Sequence, residues 1–285
     1  AKDNVLGGPG RGDRNVVSGN KVYGVVYYGH CTRNTTQGNY VGTDITGTEA
    51  LPNATGICVD CASHDNVITG NVISGNTSYG MFFVTRGTEG NRLQGNYIGV
   101  DATGAAALPN DIGMVVSTGA TDNLIGGEEP GQGNVISGNT QAGLMITNRL
   151  TKANRFIANL IGTDAAGSQA IGNRHGVVIS TYPEANLLQG NVISGNRSSG
   201  VVIVEYAIGN VLVGNRIGLA AEGDRRLPNE VGVVIDEHAE GNIIGRQGEE
   251  NHVRGNTAAD VLLLPGAGPD NTVEHNRTGR GGEAR

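Results

Sequence analysis

Glu205-Tyr206 and Glu237-His238 stand 32 residues apart, each following the same apolar phrase, Gly-Val-Val-Ile, by the same interval. If those phrases stack as neighbouring strands, the two carboxylates lie about 5 Å apart. Carboxyl groups at that separation can divide the acid and nucleophile roles of glycoside hydrolysis. Tyr206 and His238 beside them can move a proton at a sugar carbon, the step that lyases and epimerases of uronates share. Earlier copies of the phrase place Arg86, Arg149 and Tyr182 at the same offset, with Asn148 and Thr181 next to them. Arginine answers the charge of a sugar carboxylate, and tyrosine supplies a flat amphipathic face. These residues are therefore candidates: Glu205, Glu237, Tyr206 and His238 for catalysis, Arg86, Arg149 and Tyr182 for substrate binding. The plainer reading is a solvated strand end on which Tyr182 stacks against Tyr206, and for catalysis it carries more weight.

The elements that would hold these residues follow from a period. A Gly-apolar-x-apolar phrase begins at Gly24, Gly56, Gly80, Gly113, Gly143, Gly176, Gly200 and Gly232. Within each phrase one parity is apolar throughout, as in Ile57 and Val59, Met81 and Phe83, or Val201 and Ile203. Alternation of period two is the signature of a strand with one buried face. No helical periodicity separates the phrases and the repeat is too short for a crossover helix, so the strands stack coil upon coil as parallel sheets. "GNVISGN" occurs at 70–76, 133–139 and 190–196, and reads as a strand with its two flanking turns. Its asparagines tolerate turn conformations, and stacked amides can form a ladder in which each finds a partner.

A longer period lies above the coil. Asn4, Asn123 and Asn242 are successive steps of 119 residues, which makes four coils one super-repeat: 1–119, 120–238 and a partial 239–276, with a polar tail at 277–285. "VGTDITGTEALPN" (41–53), "IGVDATGAAALPN" (98–110), "IGTDAAGSQAIGN" (161–173) and "IGLAAEGDRRLPN" (217–229) add a loop to every second coil. Asp44, Asp101 and Asp164 recur in three of them; one carboxylate per loop is too few for calcium, so a turn held by the Asp side chain is expected.

Composition narrows the function classes. The 285 residues include 48 Gly, no Trp and 3 Phe, so the core must be Val, Ile and Leu. The net charge of −7 argues against nucleic acid, and no apolar run is long enough to span a membrane. No phosphate loop, dinucleotide fingerprint or nucleophile elbow is present, so no cofactor is expected. Cys31, Cys58 and Cys61 fall in two neighbouring coils. A bridge from Cys31 to Cys58 or Cys61 is expected, which suits an oxidising compartment; zinc would lack a fourth ligand, and no metal is expected.

The third position of each phrase points outward and is apolar in nine successive coils: Val26, Cys58, Phe82, Val115, Met145, Val178, Val202, Val234 and Leu262. A solvated sheet face alternates polar outward, so this column marks an interface, with self or a partner, or a surface that the chain itself covers.

The Gly-apolar-x-apolar phrase together with Asn-x-Ile-x-Gly-Asn resembles the right-handed parallel β-helix repeat family, which includes pectate-lyase-like enzymes, uronan epimerases and many surface proteins. The likeness covers roughly 1–276 and implies an all-β right-handed parallel β-helix of about ten coils with an Asn ladder. It is weak for activity, because this fold hosts many chemistries, and the acidic-His signatures of the epimerases are missing. The expectation is a secreted or cell-surface rod about 45 Å long. It binds a polysaccharide or associates with itself; the alternative is a polysaccharide lyase, epimerase or glycoside hydrolase.

Overall fold

The computed structural model describes residues 1–279. The chain is a right-handed parallel β-helix in which each full coil gives one strand to each of three parallel sheets, two of ten strands and one of nine. One sheet is built of long strands, from Tyr23–Tyr28 to Ala259–Leu263. The second has mostly three-residue strands, from Val5–Gly7 to Thr272–Val273, and the third mostly two-residue strands, from Val16–Val17 to Asn276–Thr278. Among the described residues the helical content is one 3-10 turn, Arg11–Asp13, and no helix is long and apolar enough to cross a membrane.

The alternation of the sequence becomes three inward stacks. Ile57, Met81, Met114 and Leu144 from the long strands meet Ile68, Leu93, Ile125 and Phe156 from the second sheet and Ile73, Ile98, Ile136 and Ile161 from the third; these side chains are all buried. One layer per coil, mostly aliphatic, sits on the next, with Phe83 and Phe156 the only fully buried aromatics among the described residues, so the core tolerates the shortage of Phe and Trp.

Between sheets the chain turns at asparagines, and these form three ladders, Asn4 to Asn271, Asn15 to Asn276 and Asn20 to Asn256. At Asn91 the backbone N–H and the side-chain amide both donate to Asn123 Oδ1, at 3.1 and 2.9 Å, and the other amide hydrogen goes to the Ser63 carbonyl at 3.1 Å. A buried amide is costly only when unpaired, so the repeated coil satisfies every member except those at the ends. The third ladder finishes on a different residue: Asn256 donates to Asp260 Oδ1 at 3.0 Å.

The serine of the repeated heptapeptide has its own mechanical role. Ser74 Oγ donates to the Val100 carbonyl at 2.7 Å and accepts the Gly99 N–H at 3.0 Å. Ser194 does the same with Leu219 and Gly218. Each serine thus ties its coil to the root of the loop on the next. The glycine there is obligatory: at Gly99, φ is +87° and a Cβ would lie 2.2 Å from Asn139 Oδ1.

The four loops at alternate coils stack directly on one another. Ala102 N–H donates to Gly47, Ala165 to Gly104 and Ala221 to Gly167, at 2.9, 3.0 and 2.8 Å. The last strand, Asn276–Thr278, carries regular pairing into the segment expected to be a tail; the remainder of that tail, 280–285, lies outside the described residues.

The expected cysteine bridge is not made, and Cys31, Cys58 and Cys61 are free thiols. Cys31 belongs to the interior cluster and its thiol donates to the Tyr28 carbonyl at 3.3 Å. Cys58 pairs in register between Val26 and Phe82, in the outward column, so the two sulfurs leave the chain on opposite faces of the sheet. Cys61 follows the strand Thr55–Asp60, on the turn.

Candidate functional site

The long strands end at Ser180, Ile203 and Ile235. The candidate residues therefore stand on the turn after each strand, a correction to their expected place at the strand's own end. Thr181-Tyr182, Glu205-Tyr206 and Glu237-His238 are successive left-handed pairs, with φ of 65° and 68°, 52° and 60°, 49° and 62°. Non-glycine residues adopt this region at a cost of about 1–3 kcal/mol each. Pairing offsets it here: Tyr182 N–H donates to the Glu205 carbonyl at 2.9 Å, and Tyr206 N–H to that of Glu237 at 3.0 Å.

One turn repeated in consecutive coils makes the side chains project in parallel. The Tyr182 and Tyr206 rings stack with centroids 4.8 Å apart and planes at 4°, and Tyr206 and His238 at 4.9 Å and 22°. The Arg149 guanidinium lies 4.1 Å above the Tyr182 ring. Four residues named from the sequence are thus joined in one column across four coils. Its ring faces are occupied by one another, so it presents ring edges, hydroxyls and charged tips to solvent, with Tyr206 43% exposed.

Beside the stack runs a polar row. Thr181 Oγ1 donates to the Glu205 carboxylate, which is thereby drawn back toward the preceding coil rather than toward Glu237 on the next. Asn148 likewise reaches back one coil, donating to Ser117 Oγ at 2.8 Å. Arg86 stands apart from the stack, two coils before Arg149. It packs over Gly119, where a Cβ would come within 2.8 Å of Arg86 Cγ.

The outward apolar column is unevenly exposed. Val26 is exposed; Phe82, Met145, Val178, Val202 and Val234 are half-buried; Cys58 and Val115 are buried. Ile112, Val115 and Ala142 form a buried cluster on the outer face, with Tyr79, Phe82, Met145 and Val178 packed against it. Tyr79 and Phe82 meet with centroids 5.1 Å apart. Much of the column's apolar area is therefore covered by its own neighbours along the sheet.

A groove of about 630 Å³ lies over the sheet of two-residue strands, lined in part by Arg14, Tyr40, Tyr97, Glu128 and Glu129. The Arg14 guanidinium sits 3.9 Å over the Tyr40 ring. Sequence reasoning passed over these residues, although Tyr40 and Tyr97 each immediately precede one of the alternate-coil loops.

The loop aspartates close turns. Asp101 Oδ1 accepts from Thr103 Oγ1 at 2.7 Å and from the backbone N–H groups of Ala105 and Ala106 at 3.2 Å. Asp44 makes the same set, and the Thr46 hydroxyl chiefly holds its carboxyl below the usual aspartate range. At Asp164 burial pushes the carboxyl up, but the N–H groups of Gln169 and Ser168 outweigh it and the net shift is downward. The fourth loop, lacking the Asp, is organised from the other side: Arg216 donates to the carbonyls of Ala220 and Gly223. Among the described residues no three His, Cys, Asp or Glu side chains are grouped to hold a metal ion.

Residues 11–105 match the model of a protein family described as periplasmic copper-binding protein (NosD). No curated protein matches the chain. Among solved structures, the periplasmic alginate epimerase AlgG is similar at 13% identity with a TM-score of 0.59, over 88% of this chain and 61% of that one. The A-module of the Azotobacter vinelandii mannuronan C-5 epimerase AlgE6 is similar at 15% identity with a TM-score of 0.53, over 98% and 73%. That of AlgE4 gives 17%, 0.50, 96% and 83%. This chain thus spans about six tenths of the AlgG structure. The donors that suit copper in the matched segment are His30, Cys31, Cys58, Cys61, His64 and Met81, but they do not converge: Cys31 and Met81 face the interior, Cys58 the outer sheet, and His64 Nδ1 pairs with Asp65 at 2.9 Å. The residues present do not fit a copper centre. What these solved structures and this chain share is the right-handed parallel β-helix.

Proposed function

We propose that this protein is a rigid polysaccharide-binding rod that works outside the cytoplasm, in the periplasm, at the cell surface or beyond it. The observation that carries the reading is the column of Arg149, Tyr182, Tyr206 and His238 with the Thr181–Glu205 row beside it. Stacking holds these long side chains in place before any ligand arrives, so little rotamer freedom remains to be lost on binding. The column repeats at the coil spacing, and a polysaccharide is itself a repeat of hydroxyl-rich units that such a row of phenols, carboxylates and guanidinium can follow. AlgG and AlgE6, which share this fold, are epimerases of alginate and mannuronan, which is consistent with a polysaccharide partner.

Binding without turnover is favoured over catalysis because the Glu205 carboxylate is engaged by Thr181 and the ring faces are engaged by each other. Affinity electrophoresis against neutral and acidic polysaccharides tests the reading. The wild type is expected to be retarded by at least one of them, with retardation lost in Arg149→Ala and Tyr206→Ala at unchanged fold. A wild type that no polysaccharide retards would sink it. Appearance of unsaturated or newly reducing ends, lost in Glu205→Gln, would replace it with the enzyme reading.

A second reading, side-by-side association, is favoured by the outer cluster of Ile112, Val115 and Ala142 with its half-buried rim. Light scattering across a dilution series, with Val178→Asp as the comparison, decides it: concentration-dependent mass in the wild type alone supports association.

A further inference from the structure

The outward column of the two-residue sheet changes character along the rod. It is aromatic or aliphatic from Tyr40 to Val192, and in the last three strands becomes Arg216, His252 and Arg277, paired in register strand to strand. In a chain of net charge −7, placing two guanidinium groups and an imidazole one coil apart is unfavourable unless an anion answers them.

The described residues supply only part of that answer. Arg216 is oriented by the Ala220 and Gly223 carbonyls, which carry no formal charge. Arg254, which adds a third guanidinium to the cluster, pairs with Asp224. Among the described residues, the charged groups around His252 are Arg277, Arg216 and Arg254 against the one carboxylate of Asp224, while Glu250 lies near Arg277 and His275. Positive charge remains in excess at the imidazole.

A second observation is independent of charge. Three enclosed side-chain nitrogen or oxygen atoms among the described residues have no hydrogen-bond partner, and two of them, His252 Nδ1 and Arg254 Nε, lie in this cluster. An unmet buried polar atom costs about 1–3 kcal/mol. A ligand that accepts hydrogen bonds and carries negative charge answers both deficits together, and Arg277, in register beside His252, is exposed.

We propose that Arg216, His252, Arg254 and Arg277 form an oxyanion site that takes a sulfate, phosphate or carboxylate group, free or carried on a polymer. Arg277 and Arg254 donate to the anion, Arg216 is held by its loop as the fixed wall, and His252 takes up a proton as the anion binds. The direction of that coupling follows from the site. Burial first, then Arg277, Arg216 and Arg254, hold the imidazole below the usual histidine range; an anion among the guanidinium groups favours the charged ring and raises it. The site stands on a different sheet from the Tyr182–Tyr206 stack, so it does not rest on the polysaccharide reading.

NMR titration of the His252 imidazole tests this, in chloride and in sulfate or phosphate at matched ionic strength so that general screening cancels. The expected result is a rise of about one pH unit in the His252 midpoint with sulfate or phosphate, absent in Arg277→Ala and partly retained in Arg277→Lys. A sulfated oligosaccharide that produces the rise at lower concentration than inorganic sulfate identifies a group on a polymer; equal potency identifies a free anion. A midpoint that none of these anions moves, or that moves equally in Arg277→Ala, overturns the proposal. The other histidines report whether Arg277→Ala keeps its fold, and Arg254→Gln, read by the same resonance, serves if it does not.

Discussion

Tyr182 and Tyr206 lie face to face, 4.8 Å between ring centroids and 4° between planes, because each occupies the second left-handed position of the same turn in adjacent coils. The contact is therefore a property of the backbone repeat. A Tyr182→Ala/Tyr206→Ala double-mutant cycle, read by guanidinium denaturation, is expected to give a coupling of about 1 kcal/mol. Additive single effects would show that the rings stack without mutual stabilisation.

The Asn ladders should be strongest in the middle. Asn96 accepts from the backbone N–H and amide of Asn71 and donates to Asn134 and the Ile68 carbonyl. Asn96→Ala leaves several of these groups buried and unpaired, so a loss of about 3–5 kcal/mol is expected. Asn4 starts its ladder in an exposed position, and Asn4→Ala is expected to cost about 1 kcal/mol or less. Equal losses at the two sites would contradict the ladder account.

Acid should release the loops before the core. The Thr46 hydroxyl foremost, with the N–H groups of Glu49 and Thr48, holds the Asp44 carboxyl below the ordinary 3.8. A carboxyl depressed in the folded state contributes stability that is complete above 3.8 and is lost as pH falls through its lower folded value. Melting curves between about pH 5 and about pH 2 should therefore fall less steeply for Asp44→Asn than for wild type. Parallel acid limbs would refute this. Calcium is expected to leave both melts unchanged, since the carboxylates already bond their own loops.

The three thiols should differ in reactivity. Burial chiefly, then the charges of Asp60 and Cys61, push the Cys58 thiol up to about 12, and thiolate is the reactive form. Cys31 is buried while Cys61 is partly exposed. Maleimide labelling near neutral pH should modify Cys61 first, and Cys61→Ser should abolish the fast phase, with Cys31 and Cys58 reacting on unfolding. A fast phase that survives Cys61→Ser would show that the sheet opens locally.

Legibility differed by element. The parity of Ile57 and Val59 or Met81 and Phe83 was readable because a strand facing a closed interior enforces strict alternation over several residues. The asparagines were readable because every coil must repeat them. The role of Ser74 and Ser194 was not, since a hydroxyl serving the next coil leaves no trace in the spacing of its own. The turn carrying Glu205-Tyr206 was placed at the strand end because two left-handed residues in succession look, in sequence, like two more residues of strand.

By itself the sequence determined the architecture: a stack of coils with a Val/Ile/Leu interior and Asn corners, since inward packing and amide pairing constrain residue type at each repeated position. Only the tertiary structure decided what the surface does. It turned Glu205 toward Thr181, set Arg86 two coils from Arg149, left Cys31 and Cys58 on opposite faces, and gathered Arg216, His252 and Arg277 from irregular intervals of 36 and 25 residues. Outward side chains answer to neighbours one coil away, and loops of unequal length between coils keep those neighbours out of register in the sequence.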